Sequence, residues 1–242
     1  MEFYNYLEDT RMEQIYTIPV NEAFDAGLAE GTCVCPFCTL YKKLQEDELD
    51  IILGASMMEP DIRIMTNKQG FCPTHFKKML SRKRRLGMGL MLESHLPEVQ
   101  NRLKGSPISR LASISSLLSL EQDCYVCKRI DKNLNAMIAT AVYLYGTDEA
   151  FRKKFSAQPL FCLPHYRMMI DYASKKMGKK EFKEFFPIAE GIVSAYLETL
   201  QKDVSWFCKK FDYRYDEEPW YNSKDSIERS IRFLSSDNGE IE

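Results

Sequence analysis

The sequence contains Cys35-Pro-Phe-Cys38 and, after 33 intervening residues, Cys72-Pro-Thr-His75. Further along, it contains Cys124-Tyr-Val-Cys127 and, after 34 intervening residues, Cys162-Leu-Pro-His165. The two Cys-x-x-Cys pairs are 89 positions apart and the two Cys-x-x-His pairs are 90 positions apart. A fixed offset of this kind indicates an internal duplication, here with one inserted residue.

Three cysteines and one histidine form a closed tetrahedral shell for Zn²⁺. Each copy is therefore expected to bind its own zinc ion. The predicted ligands are Cys35, Cys38, Cys72 and His75 in the first copy, and Cys124, Cys127, Cys162 and His165 in the second. Cys33 is an alternative ligand, although no cysteine stands two residues before Cys124. Two other readings are buried structural cysteines and a redox Cys-x-x-Cys pair, but no strand–helix–strand pattern surrounds Cys35.

Prolines follow the ligand cysteines closely, at positions 36, 73 and 164. Proline is favoured in the first turn of a helix because its missing N–H has no partner there. Each ligand pair is therefore predicted to begin a helix. Almost nothing alternates with strand periodicity, so the fold class is predicted to be all-α. Gly87 and Gly89 are expected to interrupt the helix after Pro73, and Pro187 is expected to start the long last helix of the second copy.

The predicted organisation has two duplicated helical metal-binding modules with long packing helices, followed by an aromatic tail. The segments are an N-terminal segment with a short helix (1–32), a first Cys3His module (33–103), a serine-rich linker (104–123), a second Cys3His module (124–211), and an aromatic tail with a C-terminal helix (212–242).

Composition describes an ordinary globular protein of 242 residues, with formal net charge −2, 45% hydrophobic and 28% charged residues. The near-neutral charge argues against a polycationic nucleic-acid coat. The acidic N-terminus does not resemble a signal peptide, and the apolar run 136–145 is too short to cross a bilayer. Eight cysteines are too few for a disulfide scaffold of this length. We therefore expect a cytoplasmic protein with no membrane partner.

Several further stretches occur in a characteristic order: Thr17-Ile-Pro-Val-Asn-Glu-Ala-Phe24, Gly70-Phe-Cys-Pro-Thr-His75, Phe161-Cys-Leu-Pro-His165, and Phe211-Asp-Tyr-Arg-Tyr215 with Pro219-Trp220 and Ser223-Lys-Asp225. Together they resemble a bacterial family catalogued only as a domain of unknown function, with paired Cys-x-x-Cys/Cys-x-x-His modules. The resemblance covers about residues 14–233. It implies a cytosolic helical protein with metal sites, and it implies no activity.

Two basic clusters lie at corresponding places after the two histidines. They comprise Arg82, Lys83, Arg84 and Arg85 in the first copy, and Lys175, Lys176, Lys179 and Lys180 in the second. They are candidates for binding nucleic acid, and the alternative is a solvated helix face. Cys208 is expected to be buried in the last helix.

The sequence thus predicts a zinc-stabilised helical scaffold without catalysis of its own, because two closed four-ligand shells leave no spare histidine for an open catalytic position, and no recognisable nucleophile or acid–base motif is present. Its partner is expected to be a macromolecule, and a protein more than a nucleic acid. Two alternatives stay open: an iron–sulfur redox protein that uses the same ligands, and a nucleic-acid-binding protein that uses the basic clusters.

Overall fold

The fold is helical throughout the described part of the chain. The computed structural model describes residues 15–29, 33–104 and 110–236, and these contain eleven α-helices and no β-strand. The all-α prediction is confirmed. Residues 1–14, 30–32, 105–109 and 237–242 lie outside the described residues, and with them parts of the predicted N-terminal segment, linker and tail.

The α-helices in chain order are α1 (Thr17–Gly27), α2 (Pro36–Ile52), α3 (Pro60–Gln69), α4 (Pro73–Ser81), α5 (Arg85–Leu103), α6 (Arg110–Gln122), α7 (Tyr125–Thr147), α8 (Glu149–Ser156), α9 (Leu163–Lys176), α10 (Lys179–Lys209) and α11 (Ser226–Ser235). Two short 3₁₀ helices, Ala55–Met58 and Tyr213–Tyr215, precede α3 and follow α10.

Four of these helices begin at the four predicted ligand pairs. They are α2 after Cys35, α4 after Cys72, α7 after Cys124, and α9 after Cys162. In α4 and α9, the cysteine is the N-cap residue and a proline stands in the first two helical positions. The prediction that each ligand pair begins a helix is confirmed. Each pair therefore lies where backbone N–H groups have no partner within the helix.

The chain divides into two compact units. Unit 1 comprises Met1–Lys42 and Leu134–Glu242, and unit 2 comprises Lys43–Asn133. Helices α2 and α7 each contribute residues to both units. Unit 2 is thus one continuous stretch of chain, whereas unit 1 is built from the two stretches that flank it.

Aromatic side chains form the core of unit 1. Six phenylalanines are at most 1% exposed: Phe24, Phe37, Phe151, Phe155, Phe161 and Phe185. The Phe24 ring contacts the rings of four of the others, at centroid distances of 4.8 to 6.1 Å. Burying one such side chain stabilises a fold by roughly 1.5–3 kcal/mol. Because Phe37 and Phe161 directly precede Cys38 and Cys162, this core fixes the positions of two predicted ligands.

Polar contacts order the helices of unit 2 around a smaller apolar core. The guanidinium of Arg63 in α3 donates to the backbone oxygen of Leu90 in α5, at 2.7 Å. His95 in α5 is 9% exposed and lies 3.1 Å from the backbone oxygen of Asn67. These contacts hold α3 against α5, the helices that lie before and after the Cys72 ligand pair in the chain.

The loop that follows α10 is held by a buried lysine. The ammonium of Lys210 donates to the backbone oxygens of Tyr215, Asp216 and Glu218, at 2.5 to 2.9 Å. Only 7% of Lys210 is exposed, and its ammonium lies 5.4 Å from the centre of the Trp220 ring. One charged group therefore satisfies three carbonyls of the loop that follows α10.

Two helix boundaries differ from the sequence prediction. The helix after Pro73 is interrupted between α4 and α5, where Lys83 has φ +58°, and not at Gly87 or Gly89, which lie inside α5. Pro187 lies inside α10 rather than at its start. Burial of Phe185 and Ala189 on either side holds the helix together there, because tertiary packing offsets the hydrogen bond that proline cannot make.

Candidate metal centres

The structure brings the eight predicted ligands together in two groups of four, but it exchanges the partners. Site 1 consists of Cys35, Cys38, Cys162 and His165, and site 2 consists of Cys72, His75, Cys124 and Cys127. Within each site, the four ligand atoms all lie within 4.8 Å of one another. Both groups could hold a metal ion. The prediction that each copy closes its own quartet is therefore wrong.

The similarity of the two copies explains this error. Either Cys-x-x-Cys pair can complete a Cys3His shell with either Cys-x-x-His pair, because the residue types and the spacing within each pair are the same. Motif spacing therefore identifies the donors without identifying their partners. The packing of each unit decides the matter, since site 1 lies wholly in unit 1 and site 2 wholly in unit 2.

Site 1 is a compact and buried group of donors. The Sγ atoms of Cys38 and Cys162 are 3.6 Å apart. The Nδ1 atom of His165 lies 3.1 Å from the Sγ of Cys162, 3.5 Å from that of Cys38 and 3.8 Å from that of Cys35. None of the four residues is more than 4% exposed. The Phe37 ring packs 6.1 Å from the His165 ring, so the imidazole presents Nδ1 to the three sulfurs.

Site 2 has the same arrangement with more exposed sulfurs. The Nδ1 atom of His75 lies 3.2 to 3.4 Å from the Sγ atoms of Cys72, Cys124 and Cys127. The Sγ atoms of Cys72 and Cys127 are 3.8 Å apart. His75 and Cys124 are buried, whereas Cys72 and Cys127 are half-buried. Two of the four donor residues of site 2 are therefore partly exposed, whereas all four of site 1 are buried.

A buried glutamine orients the histidine of site 2. The amide nitrogen of Gln45, a residue that is 3% exposed, lies 3.1 Å from Nε2 of His75. A half-turn of the amide brings its oxygen to the same place, where it accepts the ring N–H that remains when Nδ1 binds a metal. Such contacts to the outer nitrogen fix the tautomer and orientation of a ligand histidine.

The sequence analysis missed Gln45, although a signal for it existed. It is a polar residue on the same face of α2 as Leu49 and Ile52, both of which are fully buried. The position 89 residues later is Leu134, which is also buried. The two copies therefore differ at this point, and only the first carries an amide.

The two ligand pairs of site 2 are also joined through the backbone. The N–H of Tyr125, the first residue of α7, donates to the carbonyl oxygen of Gly70, at 3.0 Å. Gly70 has φ +69°, a conformation that favours glycine. An added Cβ there would lie 3.4 Å from the His95 ring. This turn therefore sets the approach of the Cys72 pair to the Cys124 pair.

Burial and hydrogen bonds keep two of the sulfurs of site 1, those of Cys35 and Cys162, protonated without a cation. Burial raises the pKa of Cys35. The hydrogen bond with Cys35 lowers the pKa of Cys162, but the hydrogen bond with Cys38 and burial outweigh it and raise the pKa to about 12. Burial lowers the pKa of His165 to about 4, so this imidazole is neutral near pH 7. A bound cation would replace the thiol protons.

In site 2, the hydrogen bond between two thiols favours ionisation of one of them and opposes ionisation of the other. The hydrogen bond from Cys127 lowers the pKa of Cys124 to about 3. The hydrogen bond with Cys124 and burial raise the pKa of Cys127. Without a cation, Cys124 therefore ionises in preference to Cys127, and a bound divalent cation would let both of these sulfurs ionise.

The two remaining cysteines lie outside both quartets. Cys33 is exposed and is not one of the four donors of site 1, although it lines a small pocket beside that site. Cys208 is exposed on α10, so the prediction that it is buried is wrong. The last buried residue of α10 is Leu200, so the final turns of this helix, which contain Cys208, lie outside its buried face.

The basic clusters are partly engaged in ion pairs. In the first cluster, Arg82 pairs with Glu46 and with Asp50, and Arg84 also pairs with Asp50. Lys175 of the second cluster pairs with Asp171, at 2.7 Å. Of the others, Lys83 and Arg85 lie at the break between α4 and α5, Lys176 ends α9, and Lys179 and Lys180 begin α10. Nucleic-acid binding by these residues stays a prediction.

Within the described residues, none of the helices has the length and apolar character needed to cross a membrane.

Comparisons with known proteins identify a family but no activity. No curated protein and no solved structure shows a significant match to the chain. A family model does match residues 12–240, which is most of the sequence. The chain therefore belongs to the family of unknown function DUF6062.

Proposed function

We propose that sites 1 and 2 each hold one structural Zn²⁺ ion, and that the protein is a metal-stabilised helical scaffold that binds another macromolecule. The observation that carries this proposal is the presence of two Cys3His groups whose donors already lie at the separations a single ion requires. Four protein donors close the coordination shell of zinc and leave no open position for a substrate. This favours a structural ion over a catalytic one.

The distances favour one ion per site over an iron–sulfur cluster. A tetrahedral ion with metal–sulfur bonds of about 2.3 Å holds its sulfurs about 3.8 Å apart. The measured Sγ–Sγ distances are 3.6 Å in site 1 and 3.8 Å in site 2. In a cluster, the four ligands are distributed over two or more iron atoms, so they do not all lie as close together as the four ligand atoms of each site, which are within 4.8 Å of one another.

The helix starts supply a suitable electrostatic environment. Zn²⁺ with three thiolates and a neutral imidazole carries a formal charge of −1. Each site lies at the beginning of two helices, α2 and α9 for site 1, and α4 and α7 for site 2. The N-terminus of a helix carries about half a positive charge and unpaired N–H groups. Two converging helix starts therefore stabilise the anionic centre.

Exposed apolar residues support a role in binding a macromolecule. On α5, Leu86 is 75% exposed, and Leu96 and Leu103 are each 61% exposed. The ion pairs of Arg82 and Arg84 reduce the positive charge that nucleic acid would contact. For this reason a protein partner is favoured over a nucleic acid.

Elemental analysis and an optical spectrum of anaerobically purified protein test this proposal. We expect two zinc ions per chain and a colourless solution. A brown protein that absorbs near about 400 nm and contains iron and sulfide would support the iron–sulfur alternative instead. A folded chain without bound metal would refute both.

A further inference from the structure

A small pocket lies beside site 1, and four of the eight cysteines line it. They are the three site 1 ligands Cys35, Cys38 and Cys162, together with Cys33. The pocket has a volume of about 60 Å³. Since one water molecule needs roughly 10–15 Å³ of such space, the pocket is larger than a single ion or water molecule requires.

Cys33 distinguishes site 1 from site 2. It is an exposed thiol in the non-helical stretch directly before α2, and only Val34 separates it from the ligand Cys35. The eighth cysteine, Cys208, does not line this pocket. Every other cysteine of the sequence is itself a donor of one of the two sites. Site 1 is therefore the site with an uncoordinated thiol next to its ligands.

The other polar groups of the pocket suit a small molecule that carries hydroxyl groups. Tyr196 and Arg229 line the same pocket as Cys33. The phenol of Tyr196 donates hydrogen bonds to oxygen, whereas the guanidinium of Arg229 already pairs with Asp203 and Asp225. Val34, Leu160, Arg232 and Phe233 also line the pocket, and Leu160 and Phe233 are nearly fully buried. The pocket thus combines cysteine sulfurs with a phenol in a space too small for a large substrate.

We propose that this pocket admits a small hydroperoxide, and that Cys33 closes a disulfide with one of the site 1 ligands and so releases the metal. This inference rests on the proposed function, because the attacking sulfur is a thiolate held by the zinc ion. It adds a reversible, oxidant-dependent loss of one metal to a protein whose metals are otherwise structural.

The reaction proceeds in two balanced steps. In the first, a metal-bound thiolate attacks one oxygen of hydrogen peroxide, the O–O bond breaks, and the other oxygen takes a proton from solvent and leaves as water. The sulfur becomes a sulfenic acid, which would hold the metal more weakly than the thiolate but would not yet release it. In the second, the Cys33 thiol attacks that sulfur, an S–S bond forms, the S–O bond breaks, and the hydroxyl leaves as water with the thiol proton. Two thiols have lost two electrons and the peroxide has gained them.

The consequence for the metal follows from the coordination. Site 1 loses one of its three sulfurs, and the disulfide prevents that sulfur from returning. The remaining two cysteines and His165 no longer close a tetrahedral shell. Site 2 has no additional thiol to capture an oxidised ligand, so it is expected to keep its ion under the same mild treatment.

The test uses the full-length protein loaded with zinc, and its metal content is measured first. Stoichiometric hydrogen peroxide is added in the presence of a chromophoric zinc chelator, and the disulfide is then identified by peptide mapping. We expect the wild type to lose one of its two zinc ions and to gain a disulfide that joins Cys33 to a site 1 ligand. A thiol reductant with added zinc should restore the original content.

Two single variants complete the experiment. Cys33→Ser is expected to keep both zinc ions at the same dose, and Cys208→Ser, which removes an exposed thiol outside the pocket, is expected to behave as the wild type. Loss of zinc from Cys33→Ser to the same extent, or a disulfide made only of site 2 ligands, would overturn the inference. If either of these results is obtained with protein that initially holds two zinc ions, the redox inference fails and the proposed function stands. If the starting protein holds no metal, the redox inference and the proposed function both fail.

Discussion

The exchange of ligand partners between the two copies can be tested by counting metal ions in two double variants. In Cys35→Ser/Cys162→Ser, both substitutions fall in site 1, so site 2 should keep its ion and the chain should bind one zinc. In Cys35→Ser/Cys72→Ser, each site loses one sulfur. Pairing within each copy predicts the opposite result, namely no intact site in the first variant and one in the second.

The size of the effect follows from the number of donors. A structural Cys3His zinc site contributes apparent binding free energy on the order of 12 kcal/mol. If the four donors contribute equally, removal of one costs about 3 kcal/mol, which weakens binding by roughly two orders of magnitude. A chelator of intermediate affinity will therefore strip three-donor sites and leave four-donor sites loaded.

The assay is elemental analysis after passage over such a chelator, with helicity followed by circular dichroism. We expect two zinc ions for the wild type and for Cys208→Ser, one for Cys35→Ser/Cys162→Ser, and none for Cys35→Ser/Cys72→Ser. Retention of one ion by the last variant, together with loss of both by Cys35→Ser/Cys162→Ser, would refute the ligand assignment of both sites.

Three further predictions concern single features of the structure. Gln45→Leu removes the contact to the outer nitrogen of His75 and should weaken zinc binding at site 2 by about 10- to 100-fold without affecting site 1, as measured by chelator competition. Lowering the pH from 7 to 6 should weaken zinc binding at site 1 by about 100-fold. The reason is that the pKa values of Cys35 and Cys162 are raised, so at least two protons compete with the metal. Chelator competition titrations at both pH values measure this effect. Lys210→Met removes the donor shared by three backbone oxygens of the loop after α10 and should lower the free energy of unfolding by about 1–3 kcal/mol, as measured by urea denaturation.

The sequence predicts the donors and the helix starts well because both depend on local chemistry. A cysteine followed by proline specifies the beginning of a helix within a few residues, and this held for α2 and α4. The eight donors could be recognised because Cys-x-x-Cys and Cys-x-x-His are patterns of residue type and spacing. No tertiary information is needed for either inference.

The parts that the sequence did not predict depend on tertiary packing. The partners within each quartet are set by the cores of the two units, which motif spacing does not encode. Pro187 remains inside α10 because its neighbours are buried, and Gln45 acquires its role only through contact with His75, 30 residues away. Each of these outcomes is decided by residues distant in the chain or by burial.

The nested order of the ligands has a consequence for synthesis of the protein on the ribosome. The first four ligands leave the ribosome before Cys124 has been made: Cys35, Cys38, Cys72 and His75. Together they could complete a Cys3His shell, but two of them belong to site 1 and two to site 2 in the native structure. An ion captured at that stage would lock the nascent chain in a mispaired state, and it would have to be released before the native partners could bind. Correct maturation therefore requires that metal delivery wait for the second half of the chain, or that early capture be weak enough to reverse.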